Sequence, residues 1–162
     1  MQPEPLPPPT ADLAAAVVGL WRLVSREDYD RSGRRLIDPV LGADPLGLLA
    51  FSATRFAAQF SRRDRGAPAA DAARQATAAG PAVPGANNSA AADGYDAYFG
   101  SHTVDACAGL VTVHLEGSIV PANVGLTLTR ELRVAGNRLY IRLETNTPDG
   151  VPITRTLTFE RG

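Results

Sequence analysis

The chain reads as an all-β protein, an eight-stranded antiparallel up-and-down barrel with a short N-terminal helix and a helical lid insertion. Three observations predict it. Eight stretches read as strands, most by the two-residue alternation of apolar and polar residues and the one at 46–52 as a run dense in leucine. Short turns bearing Gly, Pro or Asn separate most of them. At 162 residues the chain has the length of one domain with a continuous core. Evenly spaced antiparallel strands close on themselves because closure removes exposed edges. Eight strands enclose room for one small ligand.

Residues 1–9 are proline-rich, lack an apolar period and read as a disordered tail before a single domain over 10–162. Thr10 or Asp12 caps a short helix that stops at Gly19. From Leu20, Trp21, Leu23 and Ser25 alternate with Arg22, Val24 and Arg26, an apolar face against a charged one, and Asp30 to Gly33 supplies the turn. Stretches 46–52 and 55–62 form a hairpin, with Phe56, Ala58 and Phe60 opposite Ala57, Gln59 and Ser61. The insertion over 64–100 begins with about thirty residues rich in Ala, Gly, Pro and Asn, the length of a lid, a binding loop or a disordered segment. A weak helix is expected over 69–79, and a second, capped by Ser89, gathers Tyr95, Tyr98 and Phe99 at helical spacing. Strands at 102–105, 110–119, 126–134, 138–144 and 152–160 complete a meander.

Composition excludes several functions. Sixteen basic and seventeen acidic residues give a net charge of -1 with no long block of either sign, which argues against nucleic acid and a polybasic membrane anchor as partners. One cysteine, Cys107, cannot build a disulfide framework, and His102 and His114 are too few for a histidine-rich metal site. No metal or cofactor is expected. The only signal-like run, 13–20, follows Glu4 and Asp12 in place of a basic region, so the location expected is cytoplasmic. That run falls far short of the ~20 residues needed to cross a bilayer. GxSxG, P-loop, dinucleotide and HExxH motifs are missing from the sequence.

Gly19-Leu20-Trp21 after a short helix resembles the glycine-x-tryptophan opening of lipocalins. The chain also carries GLWRLVS, DPLGLLAFS, QFSRRDR, DAYFGSHTVD and HLEGSIVPANVG in order. This series closely resembles the bacterial lipocalin-like domain family over roughly residues 17–161. The resemblance implies an internal cavity for a small, largely apolar ligand, with Trp21 plugging the closed end. It also implies a cation-π contact of Arg161 on Trp21. Two departures stand out: a histidine pair usual before the EGS element is Val113-His114 here, and the 64–93 stretch is alanine-rich and poor in charge.

The chemistry turns on the strands flanking the Pro121–Gly125 connection. His114, Glu116 and Ser118 share one parity, and Leu126, Leu128, Arg130, Leu132 and Val134 form an apolar face broken by one arginine. Two registers are open. With Glu116 opposite Arg130, His114, Glu116 and Ser118 enter the cavity and the arginine gains a carboxylate. With Leu115 opposite Arg130, the same three face outward beside Thr127 and Thr129, because a one-residue slip inverts every role. The family's HxEGS mark favours the inward register.

Under that register His114, Glu116 and Arg130 are the candidate catalytic set, and Gln59, Tyr98, Ser118, Asn123, Phe56 and Phe60 the candidate ligand contacts. The favoured function is a carrier or sensor of a small hydrophobic molecule, lipid-, polyketide- or aromatic-like. The alternative is a cofactor-independent isomerase or cyclase on a secondary-metabolite intermediate. There His114 would move a proton and Arg130 would stabilise an enolate. Beyond the small hydrophobic ligand, the partner left open is a second copy of the chain in a homodimer.

Overall fold

A computed structural model describes residues 3–65 and 93–162. The helix expected over 69–79 and the start of the one expected from Ser89 lie outside these residues. Residues 3–9 carry no regular secondary structure, and Arg142 Nη2 donates to the Glu4 carbonyl at 3.0 Å. Asp12 accepts from the Ala15 N–H and starts α1, Leu13–Ala16, whose Leu13 is buried with Val17. Nine strands follow: β1 (Gly19–Asp30), β2 (Arg35–Leu36), β3 (Leu46–Phe51), β4 (Arg55–Ser61), β5 (Tyr95–Asp105), β6 (Leu110–Ser118), β7 (Thr127–Ala135), β8 (Arg138–Asn146) and β9 (Pro152–Arg161). β2 is a two-residue appendage on Asp28 and Tyr29. The other eight pair antiparallel in sequence, and β1 also pairs with β9, so the sheet closes into an eight-stranded barrel.

The two ends differ. At one, α1 packs under Trp21, whose Nε1 donates to the Val17 carbonyl at 2.8 Å. The Arg161 guanidinium lies 4.2 Å from the centre of the Trp21 ring and donates to the carbonyls of Ala16 and Val18 at 2.8 and 3.0 Å. Gly19, at φ +139°, passes so near that a Cβ would stand 2.7 Å from Arg161 Nη1. At the opposite end, the segment 37–45 folds over the barrel. Its Asp38 carboxylate accepts from the N–H groups of Val40 and Leu41 at 2.8 and 2.9 Å, and Leu41 joins the core.

Two bulges redirect side chains. Along β1 and β9, Trp21 pairs with Arg161 and Leu23 with Phe159, but Ser25 pairs with Thr158, leaving Val24 as an extra residue. Past it the parity of β1 inverts: Arg26, expected on the outer face with Arg22, turns inward with Asp28. Between β5 and β6, Phe99 pairs with Gly117 and Gly100 with Leu115, which makes Glu116 the extra residue.

The register of β6 on β7 places Val111 opposite Arg130, Val113 opposite Leu128 and His114 opposite Thr127. This is the parity of the outward register, with the pairing slid four residues along from Leu115 opposite Arg130. The cause is the connection, which is no tight hairpin. It contains a 3-10 turn, Pro121–Asn123, and Gly125 N–H donates to the Leu115 carbonyl. Energetics agree, since burying Val111, Val113 and Leu115 contributes roughly 1.5–3 kcal/mol each. The inward register would instead bury an imidazole and a carboxylate.

Tyr95, Tyr98 and Phe99 lie on β5 and not on a lid helix. The strand splits the three, with Tyr98 toward the cavity and Tyr95 and Phe99 away from it, and its backbone pairs on both sides, with β4 and β6. A short isolated helix has no such support.

Candidate functional site

Between the two ends lies a cavity of about 60 Å³, on the scale of four or five waters. Its wall is mostly aromatic and aliphatic, including Phe51, Phe56, Phe60, Leu132, Leu157 and Phe159. Five ionisable side chains also reach it: Arg26 from β1, Asp96 and Tyr98 from β5, Arg130 from β7 and Arg155 from β9.

Two of the arginines are engaged in a buried ion-pair network. Arg155 grips Asp28 through two bonds, Nε to Oδ1 at 2.7 Å and Nη2 to Oδ2 at 2.9 Å. Arg26 Nη2 donates to Asp38 Oδ2 at 3.0 Å, and its Nη1 lies 4.0 Å from Asp28 Oδ2. Burial alone pulls the Arg155 pKa down, yet the Asp28 bonds and charge carry it above its ordinary value. At Arg26 burial and the charge of Arg155 win, and the pKa falls. Burial works against the charge of Asp38, but the Arg26 charge and the N–H groups of Leu41 and Val40 hold its pKa below the ordinary value.

The other three groups face the cavity in a different state. Asp96 is 2 % exposed, and its Oδ1 has no hydrogen-bond partner among the described residues. Burial pushes its pKa up to about 7 against the pull of Arg26, the Ala97 N–H and Arg155. Tyr98, edge-on to Phe56 with ring centres 6.0 Å apart, is pushed up to about 12 by burial and by the charge of Asp96. Arg130 is brought down to about 10 by burial, with Tyr98 opposing and Arg155 adding to the fall.

The expected catalytic set is therefore split. Arg130 points inward, but His114 and Glu116 are exposed on the outer wall. His114 Nδ1 stands 3.3 Å from Thr127 Oγ1. Glu116 takes two bonds of 2.7 Å from Arg55, which hold its carboxyl below the usual range.

Among the expected ligand contacts, Tyr98, Phe56 and Phe60 line the cavity. Gln59 is exposed, its Oε1 accepting from the Tyr95 hydroxyl outside the barrel. Ser118 is set opposite Tyr98 by the Glu116 bulge, and its Oγ accepts from the Val120 N–H at 3.1 Å. Asn123 is buried in the 3-10 turn and is not part of the cavity wall.

Sequence reasoning missed Arg26, Asp28, Asp38, Asp96 and Arg155. Arg155 was detectable, since it shares the parity of Leu157 and Phe159. Among the described residues no group of three or more His, Cys, Asp or Glu side chains is arranged to hold a metal ion. No helix among them is long and apolar enough to cross a membrane.

A sequence model of the lipocalin-like domain matches residues 18–162, nearly the whole chain. No curated protein matches the sequence.

Proposed function

Because this chain belongs to the lipocalin-like domain family, we propose that its barrel carries or senses a small molecule with a mostly apolar body and one oxygen-bearing polar group. The observation that supports this reading is the mixed cavity wall. Aromatic and aliphatic side chains make most of it, and Asp96, Tyr98 and Arg130 add ionisable groups. Apolar contact supplies affinity at about 25 cal/mol per Å² removed from water, while the polar groups set orientation. A cavity of about 60 Å³ is well under the ~150 Å³ void that accepts a benzene, so a compact aromatic or short-chain compound needs a small displacement of Phe51, Phe56 and Phe60, and a lipid or an extended polyketide a much larger one. An isomerase or cyclase built on His114 and Glu116 has no support from their position in solvent.

Native mass spectrometry of the protein purified from the cells that make it tests this first, followed by calorimetric titration with phenol, benzoate and toluene. One compact ligand per chain is expected. Phenol and benzoate should bind at least about tenfold more tightly than toluene, one charge-assisted hydrogen bond being worth roughly that factor. Arg130→Met should erase the preference. Equal affinities, or no binding by any of the three, would overturn the reading.

A further inference from the structure

We infer that the barrel interior is a proton-transfer site, in which the Asp96 carboxylate takes a proton from the carbon beside a carbonyl group of a compact ketone and then returns it. This rests on the ligand-binding reading above and adds a reaction to it.

The first support is the state of the carboxylates. Asp28 is gripped by Arg155, and Asp38 by Arg26 and two backbone N–H groups. Asp96 is as deeply buried, lines the cavity, and keeps Oδ1 without a hydrogen-bond partner among the described residues. A bare carboxylate oxygen inside a protein costs stability, and such groups persist where function uses them.

The second support is the oxygen-binding side. Tyr98 stands two residues from Asp96 on the same face of β5, a separation of about 7 Å along a strand. Arg130 comes close enough for its charge and that of Tyr98 to act on each other. A phenol and a guanidinium suit an oxygen that gains negative charge, and an apolar wall strengthens the interaction by excluding water.

The third support is protonation. Asp96 feels the charges of Arg26 on β1, Asp38 in the segment over the barrel end and Arg155 on β9, acts on Tyr98 of its own strand, and shares the cavity with Arg130 of β7. Burial outweighs the cations and leaves its pKa at about 7, where one group can serve as base and then as acid.

The step balances without a co-reactant. The C–H bond breaks, its proton joins Asp96, and its electron pair becomes the carbon–carbon double bond of an enolate. The carbonyl π pair moves to the oxygen, held by Arg130 and Tyr98. Return of the proton to the same carbon gives isotope exchange. In a β,γ-unsaturated ketone, return to the far carbon of the double bond gives the conjugated isomer.

The test uses the full chain and the β,γ-unsaturated isomer of cyclohexenone, with conjugation followed by ultraviolet absorbance. Phenol, a planar analogue of the enol, reports binding separately by calorimetry. Saturable isomerisation is expected, with a rate that rises with pH and levels off above about 7. Asp96→Asn should lower the rate by about 10²–10⁴-fold, and a cooperative urea unfolding transition shows separately that the variant is folded. Arg130→Met should slow turnover without moving the pH profile. Phenol binding with no isomerisation by the unaltered protein would overturn this inference and leave the binding reading standing. Turnover undiminished in Asp96→Asn would overturn it as well. Loss of both phenol binding and turnover in the unaltered protein would overturn both readings.

Discussion

Burial decides what each charge in this barrel is worth. Asp96, with its pKa raised from 3.8 to about 7, binds a proton in the folded state that the unfolded chain has released. Its contribution is most favourable below about pH 4, is lost as the pH rises to about 7, and is level beyond. Urea unfolding at pH 5 and pH 8 should therefore show Asp96→Asn gaining about 2–3 kcal/mol on the parent protein between those values. Parallel stabilities at the two pH values would refute this protonation state. Two bidentate pairs extend the contrast. Arg155 with Asp28 is buried, so Arg155→Met strands a carboxylate and should cost about 3–5 kcal/mol, part of it recovered by adding Asp28→Asn. Arg55 with Glu116 has comparable geometry in solvent, and Arg55→Met should leave the urea midpoint almost unmoved in the same assay.

At the scale of the strand, what could be read from the residues was set by where alternation survives. Expected strands at 46–52, 55–62 and 138–144 overlap the observed β3, β4 and β8 closely: the first is a run dense in leucine bounded by turns, and nothing interrupts the alternation of the other two. Arg130 is inward for the same reason, being in step with Leu128 and Leu132. Arg26 and Asp28 were hidden because Val24 is a residue too many for its partner strand, and an extra residue leaves no mark in the alternation itself. Asp96 was hidden differently: Tyr95, Tyr98 and Phe99 fall on one face only at a period of 3.6, a strand splits them between its two faces, and pairing with β4 and β6 decides for the strand. Exposed His114 and Glu116 show the remaining limit, since either parity of β6 gives a coherent strand. The bulge at Glu116 yields a sharp prediction. A Cβ on Gly100 would stand 1.8 Å from the His114 carbonyl oxygen, whereas one on Gly117 meets only the swinging ring of Phe99. Gly100→Ala should cost more than about 2 kcal/mol in urea unfolding and Gly117→Ala less than about 1. Equal costs would mean that the strands do not approach at Gly100.

Across the whole molecule, one sheet serves two tasks. The end under α1 is closed by Trp21 and Arg161 with their bonds to Ala16, Val17 and Val18, and none of these residues lines the cavity. Arg130 does line it, together with Asp96 and Tyr98. Stability and binding should therefore respond to different residues. Arg161→Leu removes a cation-π contact and two hydrogen bonds, which should cost about 1–3 kcal/mol in unfolding free energy and leave phenol affinity unchanged. Arg130→Met removes the guanidinium from the cavity wall, so phenol affinity should fall about tenfold or more. Because the two side chains sit at separate sites, the double variant should show the sum of the single effects within about 0.5 kcal/mol in each measurement. A loss of phenol affinity in Arg161→Leu, or a double variant far from the sum, would show that closing the barrel and shaping the cavity are one cooperative event.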